Sequence, residues 1–133
     1  GSQDELLAWL PKNHPGAGEA SFPLCALENE PFIITMPNQD TEIDRLLGSR
    51  HLTPDIRFST ADAYNTYCMV EAGLGMSLNN RLITLSWSGD VVTLPFDPPQ
   101  FVSLGIGVPS WKEASPAMKK FIECVKDMLE ELP

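Results

Sequence analysis

Basic residues are in short supply here: the 133-residue sequence has nine Lys and Arg against eighteen Asp and Glu, a formal net charge of −9. A polyanion is held by basic stripes that displace counterions, and no such stripe occurs. By itself the chain is therefore not expected to bind nucleic acid or an anionic membrane surface. Cysteine is also sparse. Cys25, Cys68 and Cys124 are odd in number and widely spaced, without a CxxC pair, and only His14 and His51 could join them as ligands. That argues against a disulfide framework and a zinc site, and three free thiols suit a reducing cytoplasm. Long apolar runs are missing too. Leu6 to Leu10 falls far short of the ~20 residues that span a bilayer. No signal peptide follows Gly1-Ser2, which reads as an expression scar ahead of an excised fragment.

The parts of an active site are equally hard to find. No nucleophile stands with a base, no carboxylates pair, and no metal set has ligand spacing. Gly73-Leu74-Gly75 and Gly105-Ile106-Gly107 lack the third glycine of a dinucleotide fingerprint, since Leu78 and Ser110 stand where it would fall. No phosphate-loop Gly-Lys-Ser/Thr occurs. Asp40, Glu42, Asp44 and Asp62 gather at expected helix starts, where each favours the helix dipole by about 0.3 to 1 kcal/mol. His14 and His51 read as solvated turn histidines, and Trp9, Trp87 and Trp111 as core or rim residues too scattered for a stacking platform. The sequence points to a binding module without cofactor, and not to an enzyme.

With 43% hydrophobic and 20% charged residues, the sequence is that of one packed domain. Short apolar runs alternate with segments of helical period, the pattern of an α/β fold. Strands are expected at Leu6 to Leu10, ended by Pro11, at Phe32 to Met36, closed by Pro37, and at Ile56 to Thr60 and Met76 to Leu78. A helical turn is expected over 21–27, with Phe22, Leu24 and Leu27 inward. One helix should start at Asp40 or Thr41 and carry Ile43, Leu46 and Leu47, with Gly48 near its stop. A second should start at Ala61 or Asp62 and carry Ala63, Tyr67, Val70 and Leu74, capped by Gly73. Asn79-Asn80 should lead into a brief turn or helix through Leu85. Val91 to Phe96 and Phe101 to Val108 read as further strands. Ser115 as N-cap and Pro116 at the first position open the clearest helix, whose stripe is Met118, Phe121, Ile122, Val125, Met128, Leu129 and Leu132.

In open α/β sheets ligands sit beyond the carboxyl ends of parallel strands, against the starts of the following helices. Two such ends are readable, Met36-Pro37-Asn38-Gln39 and Ser59-Thr60-Ala61-Asp62, and they should lie side by side on one rim of a mixed sheet of about five strands. Helix-start N–H groups with Asn38, Ser59 and Thr60 would form a neutral polar lining suited to a small carboxylate. The competing reading is that these are ordinary caps and turns.

Four segments carry a resemblance: Leu10-Pro11-Lys12-Asn13-His14-Pro15 with Ala17, Glu30-Pro31-Phe32-Ile33, Met69 through Leu78, and Ser115 through Ile122. In this order and spacing the chain resembles the effector-binding domain of LysR-type transcriptional regulators from about residue 6 to residue 132. The resemblance implies an α/β fold like type 2 periplasmic binding proteins: a Rossmann-like subdomain with a central mixed sheet flanked by helices. Residues 12–100 would form the second subdomain, 3–11 and 101–108 the crossover strands, and 115–132 the returning C-terminal helix. An N-terminal winged helix-turn-helix and most of the first subdomain would lie outside the chain. A small-molecule effector would be held in the cleft between subdomains, with Met36, Pro37, Asn38, Ser59 and Thr60 as ligand-binding residues. DNA would be contacted only through the absent domain, by a cytoplasmic homodimer or higher homo-oligomer. Asn79-Asn80 depart from the family, which places Leu-Pro there. Two rivals remain: a solute-binding protein of a transporter with the same fold, and a small α/β enzyme using the same strand ends.

Overall fold

A computed structural model describes residues 2–36, 42–103 and 116–130. The chain divides into two compact units, residues 5–102 and residues 1–4 with 103–133. The central strand of the larger unit is β1 (Gln3–Pro11), which enters that unit at Glu5. It pairs antiparallel on one side with β5 (Ser77–Asn80) and on the other with β6 (Val91–Asp97), which pairs parallel with the short β2 (Phe22–Pro23). β7 (Phe101–Ser103) also pairs with β1. A second, two-stranded parallel sheet is formed by β3 (Pro31–Thr35) and β4 (Asp55–Thr60). Two backbone bonds stitch it to the head of β5: Ile33 N–H to Met76 O and Met76 N–H to Pro31 O, both 2.9 Å.

The apolar runs form strands because both of their faces are covered. Along β1, Leu6, Ala8 and Leu10 enter one cluster with Phe22, Leu24, Leu27, Phe32, Ile34, Met76, Leu78 and Phe96, while Trp9 enters another with Ile33, Tyr67 and Val70. Alternation across a strand separates the two sets. The strand is longer than its apolar core suggests. It begins at Gln3 and runs through Pro11, which still pairs with Val91. Asn79 and Asn80 also belong to β5, because β1 pairs with them at Leu7 and Leu6, and the brief helix expected through Leu85 begins only after them. The residues after β2 form a 3-10 helix, Leu24–Asn29, with Leu24 and Leu27 buried as expected.

Three helices complete the described part of this unit: α1 (Glu42–Ser49), α2 (Ala63–Glu71) and the single turn α3 (Arg81–Thr84). The expected start of α1 at Asp40 or Thr41 lies outside the described residues. At the end of α2, Gly73 has φ of 84° and donates to Val70 O, while Leu74 donates to Met69 O. This pair of bonds turns the chain out of the helix, so Leu74 leaves the inward stripe and is exposed.

β4 is an edge strand with exposed Ile56 and Phe58. Its register steps from Phe32↔Ile56 to Ile33↔Phe58, leaving Arg57 as an extra residue that donates to Asp55 Oδ2 at 2.9 Å. A bulge and a charged pair are two ways of blunting an edge against strand addition.

In the smaller unit the described helix is α4 (Pro116–Glu130). It opens on Pro116 as expected, and the expected cap Ser115 lies outside the described residues. On its stripe Phe121 and Met128 are exposed and Val125 and Leu129 half-buried.

Candidate functional site

Of the two strand ends singled out in the sequence, Met36 and Thr60 meet at one rim, which belongs to the two-stranded parallel sheet and not to the five-stranded mixed sheet expected to carry it. Thr35 and Thr60 are register partners, and the next residue, Met36, donates its N–H to Thr60 O at 2.8 Å. Met36 turns the chain away from β3 with φ of 53°, a left-handed conformation that costs a non-glycine residue about 1 to 2 kcal/mol. Its side chain is exposed, as is that of Ser59, while Thr60 is half-buried. Pro37 and Asn38, the other two expected ligand-binding residues, lie outside the described residues.

Beneath the rim three hydroxyls join β3, β4 and α2. Thr66 Oγ1, fully buried, lies 2.6 Å from both Thr35 Oγ1 and Thr60 Oγ1, and Thr60 Oγ1 donates to Asp62 O at 2.9 Å. One arrangement uses each proton once: Thr35 donates to Thr66, Thr66 to Thr60, and Thr60 to the Asp62 carbonyl. The chain fixes the separation of the two strand ends. Thr35 and Thr66 were not among the expected site residues. The signal for Thr66 was present, because a threonine four residues before Val70 shares that residue's inward face on α2.

The start of α2 differs from the neutral lining expected. Asp62 caps the helix, accepting from Asn65 N–H at 2.8 Å and from Asn65 Nδ2 at 3.1 Å. Its exposed carboxylate takes one of the helix-start donors and brings negative charge to the place where an anion was expected. In the first turn of the same helix, the exposed Tyr64 phenol is pushed above its usual range, chiefly by its hydrogen bond with Cys68.

β5 touches β3 through the parallel Phe32–Met76 bridge and from there pairs with β1 as far as Asn80. Arg81, next in the chain, donates to Glu5 Oε1 at 2.9 Å across β1.

His14 is not the solvated turn residue the sequence suggested. Its side chain is only 15% exposed, Gly16 N–H donates to Nδ1, and Nε2 faces Glu30 Oε1, both at 2.9 Å. With Nδ1 accepting, the proton sits on Nε2 and is donated to Glu30, fastening the loop after β1 to the approach of β3. Trp9 is core and Trp87 rim, as expected; Trp111 lies outside the described residues. Among the described residues there is no metal-ligating cluster and no helix long and apolar enough to cross a membrane.

Comparison with known proteins agrees with this architecture. The family model for the LysR substrate binding domain matches residues 2–130. An uncharacterized HTH-type transcriptional regulator of Bacillus subtilis, YvbU, is 29% identical over 131 residues, which is 95% of this chain and 44% of that protein. The chain thus spans less than half the length of this curated relative. HinK, a LysR family transcriptional regulator from Pseudomonas aeruginosa, superposes with a TM-score of 0.76 at 23% identity over 98% of this chain and 47% of its own. The effector binding domain of QuiR in complex with shikimate gives 0.69 at 20% identity over 98% and 63%. These two likenesses establish the fold, an α/β domain like type 2 periplasmic binding proteins with its mixed sheet flanked by helices. With a sequence match that runs through almost every described element, the chain belongs to the LysR substrate-binding domain family.

Proposed function

We propose that this chain is the effector-sensing part of a transcriptional regulator acting in the cytoplasm, that it has no enzymatic activity, and that it binds a small molecule at the rim formed by Met36, Pro37, Asn38, Ser59 and Thr60. The observation that supports this most directly is the bond from Met36 N–H to Thr60 O, which holds two helix-preceding strand ends together at the carboxyl edge of a parallel pair. The relative's length leaves room for a further subdomain and a winged helix-turn-helix domain that would contact DNA. Ligand closing the cleft between subdomains would shift the population of two arrangements and change the spacing of the DNA-reading heads. The effector is a small carboxylate, and Asp62 turns its acid group away from the start of α2 toward the opposite wall of the cleft.

Ser59 provides the test, because it is exposed and accepts a larger side chain without disturbing the core. In the complete polypeptide, Ser59→Tyr is expected to weaken effector binding at least about tenfold, or about 1.4 kcal/mol, at an unchanged melting temperature. Calorimetric titration with small organic acids reads the first and thermal melting the second. Unchanged affinity would place the ligand elsewhere.

The protein is further proposed to act as a homodimer or higher homo-oligomer. Phe121 and Met128 of α4 are 57% and 54% exposed, and each such side chain gains about 1.5 to 3 kcal/mol when buried. A second copy packed against Phe121, Val125 and Met128 would cover them through a two-fold contact. Sedimentation of the 133-residue chain should then show a dimer at high micromolar concentration, and Phe121→Ser with Val125→Ser a folded monomer. A monomeric parent chain would sink the idea.

A further inference from the structure

Within the larger unit, α1 and the strands β1 and β7 enclose a cavity of about 260 Å³. The helix contributes Arg45, Leu46 and Ser49, and Arg50 follows directly after it. Leu6 of β1 and the residues from Gln100 into β7 complete the lining, and Leu6 N–H donates to Gln100 O at 2.9 Å, so these two strands form one wall. None of the rim residues Met36, Ser59 and Thr60 belongs to it.

The charge of this cavity runs against that of the chain. The sequence has two acidic residues for every basic one, yet two of its four arginines line the cavity and no Asp or Glu does. A concavity lined by one sign of charge concentrates ligands of the other. The other two arginines are occupied, Arg57 by Asp55 and Arg81 by Glu5, each at 2.9 Å. Arg50 has no ion pair among the described residues. A cation just past a helix end could serve only to complement the dipole of α1. Gln100 argues for more than that. Only 6% of it is exposed, and its amide nitrogen donates to Pro98 O at 2.9 Å, which leaves the second amide hydrogen without a partner among the described residues. A helix end needs no such donor. Unmet donors from a guanidinium and a buried amide, lining one cavity, are complementary to a carboxylate. The rest of the lining is largely apolar: Leu6, Leu46, Val102 and Phe101, the last 57% exposed. A bare anion would leave these side chains uncovered, and a volume just under the usual ~300–1,000 Å³ of small-molecule pockets restricts the occupant to about one ring.

We propose that this cavity is a second binding site, separate from the rim, for a small organic monoanion. Its carboxylate is held by Arg50 and the spare amide hydrogen of Gln100, and its single ring lies against Leu46 and Phe101. The site stands whether or not the rim binds an effector.

The probes are phenylacetate, 2-phenylethanol, which keeps the ring without the charge, and acetate, which keeps the charge without the ring. Each is titrated into the nitrogen-labelled 133-residue chain while NMR follows the amides of Leu6, Ser49 and Phe101 and, at the rim, those of Ser59 and Thr60. Phenylacetate should shift the first three saturably and bind at least about tenfold tighter than either of the other probes. Added salt should weaken it. Arg50→Gln, at an exposed position beyond the helix, should lower its affinity about tenfold at an unchanged melting temperature. Gln100→Leu, which keeps the volume and removes the donor, is the second variant. Equal binding of phenylacetate and 2-phenylethanol overturns the anion, and equal binding of phenylacetate and acetate overturns the ring. Shifts confined to Ser59 and Thr60 overturn the cavity and leave the rim standing, whereas no shift at any of the five amides overturns the cavity outright. Undiminished affinity in both variants overturns the assignment of the carboxylate to Arg50 and Gln100.

Discussion

Trp9→Ala is expected to remove about 3–5 kcal/mol of stability, a large part of the 5–15 kcal/mol typical of a whole domain. Trp9 is fully buried in the middle of β1. Its ring meets Tyr67 edge-on at 5.5 Å and Trp87 edge-on at 6.3 Å, and Trp87 in turn lies 5.3 Å from Tyr67. Such pairs add about 0.5–1.5 kcal/mol each to the area they bury. The indole N–H donates to Thr84 Oγ1 at 2.9 Å, and that hydroxyl passes its own proton to the Asn80 carbonyl. Truncation therefore empties a cavity between β1 and α2 and also loosens α3 and the end of β5. Urea unfolding followed by circular dichroism reads the loss. Trp9→Phe, which keeps a ring and loses the N–H, should fall between the two. A loss under about 1 kcal/mol for alanine would mean that the cluster is not part of the cooperative core.

The second large effect is expected at Gly75. A β-carbon added there would lie 2.9 Å from the carbonyl oxygen of Pro31, an atom that already accepts the Met76 N–H. Backbone cannot swing aside as a side chain can, so Gly75→Ala should cost about 1–3 kcal/mol through overpacking. The damage should fall at the seam between β3 and β5. Hydrogen exchange at Met76 and Ile33 should accelerate more than exchange at Ala8 or Leu94. Gly48→Ala is the control: an added carbon there meets nothing within 4 Å, and in α1 the change should stabilise by about 0.5–1 kcal/mol. Equal stability of the Gly75 variant and the parent would show that the seam has slack.

These two positions show which parts of the fold were legible in the sequence. Strands buried on both faces, such as Phe32 to Ile34, announce themselves by continuous apolarity, and α4 by its period and its Pro116 start. The rim was legible as well, because parallel strands with short returns bring Met36 and Thr60 to one edge whatever the details. What escaped was decided by partners distant in sequence. Gln3, Asp4 and Glu5 look like a polar lead-in, yet they are strand. Asn79-Asn80 has turn chemistry, and pairing with β1 overrides it. His14 lies sixteen residues from Glu30, and no local pattern marks such a pair. Asp62 was read correctly as a helix-start residue of the rim, but the lining was still taken as neutral although this carboxylate brings a negative charge to it.

The central place of β1 has a consequence for synthesis. Each strand that pairs with it, β5, β6 and β7, follows residue 76, and Trp9 waits for a hydroxyl seventy-five positions later. At about 5–20 residues per second, a ribosome leaves the run Leu6-Leu7-Ala8-Trp9-Leu10 without partners for several seconds. Such distant pairing also slows refolding, since loop closure must be met before any contact rewards it. Nascent chains halted before β5 therefore display the apolar run of β1 as an open template, and they are the species that a trigger-type chaperone would need to shield.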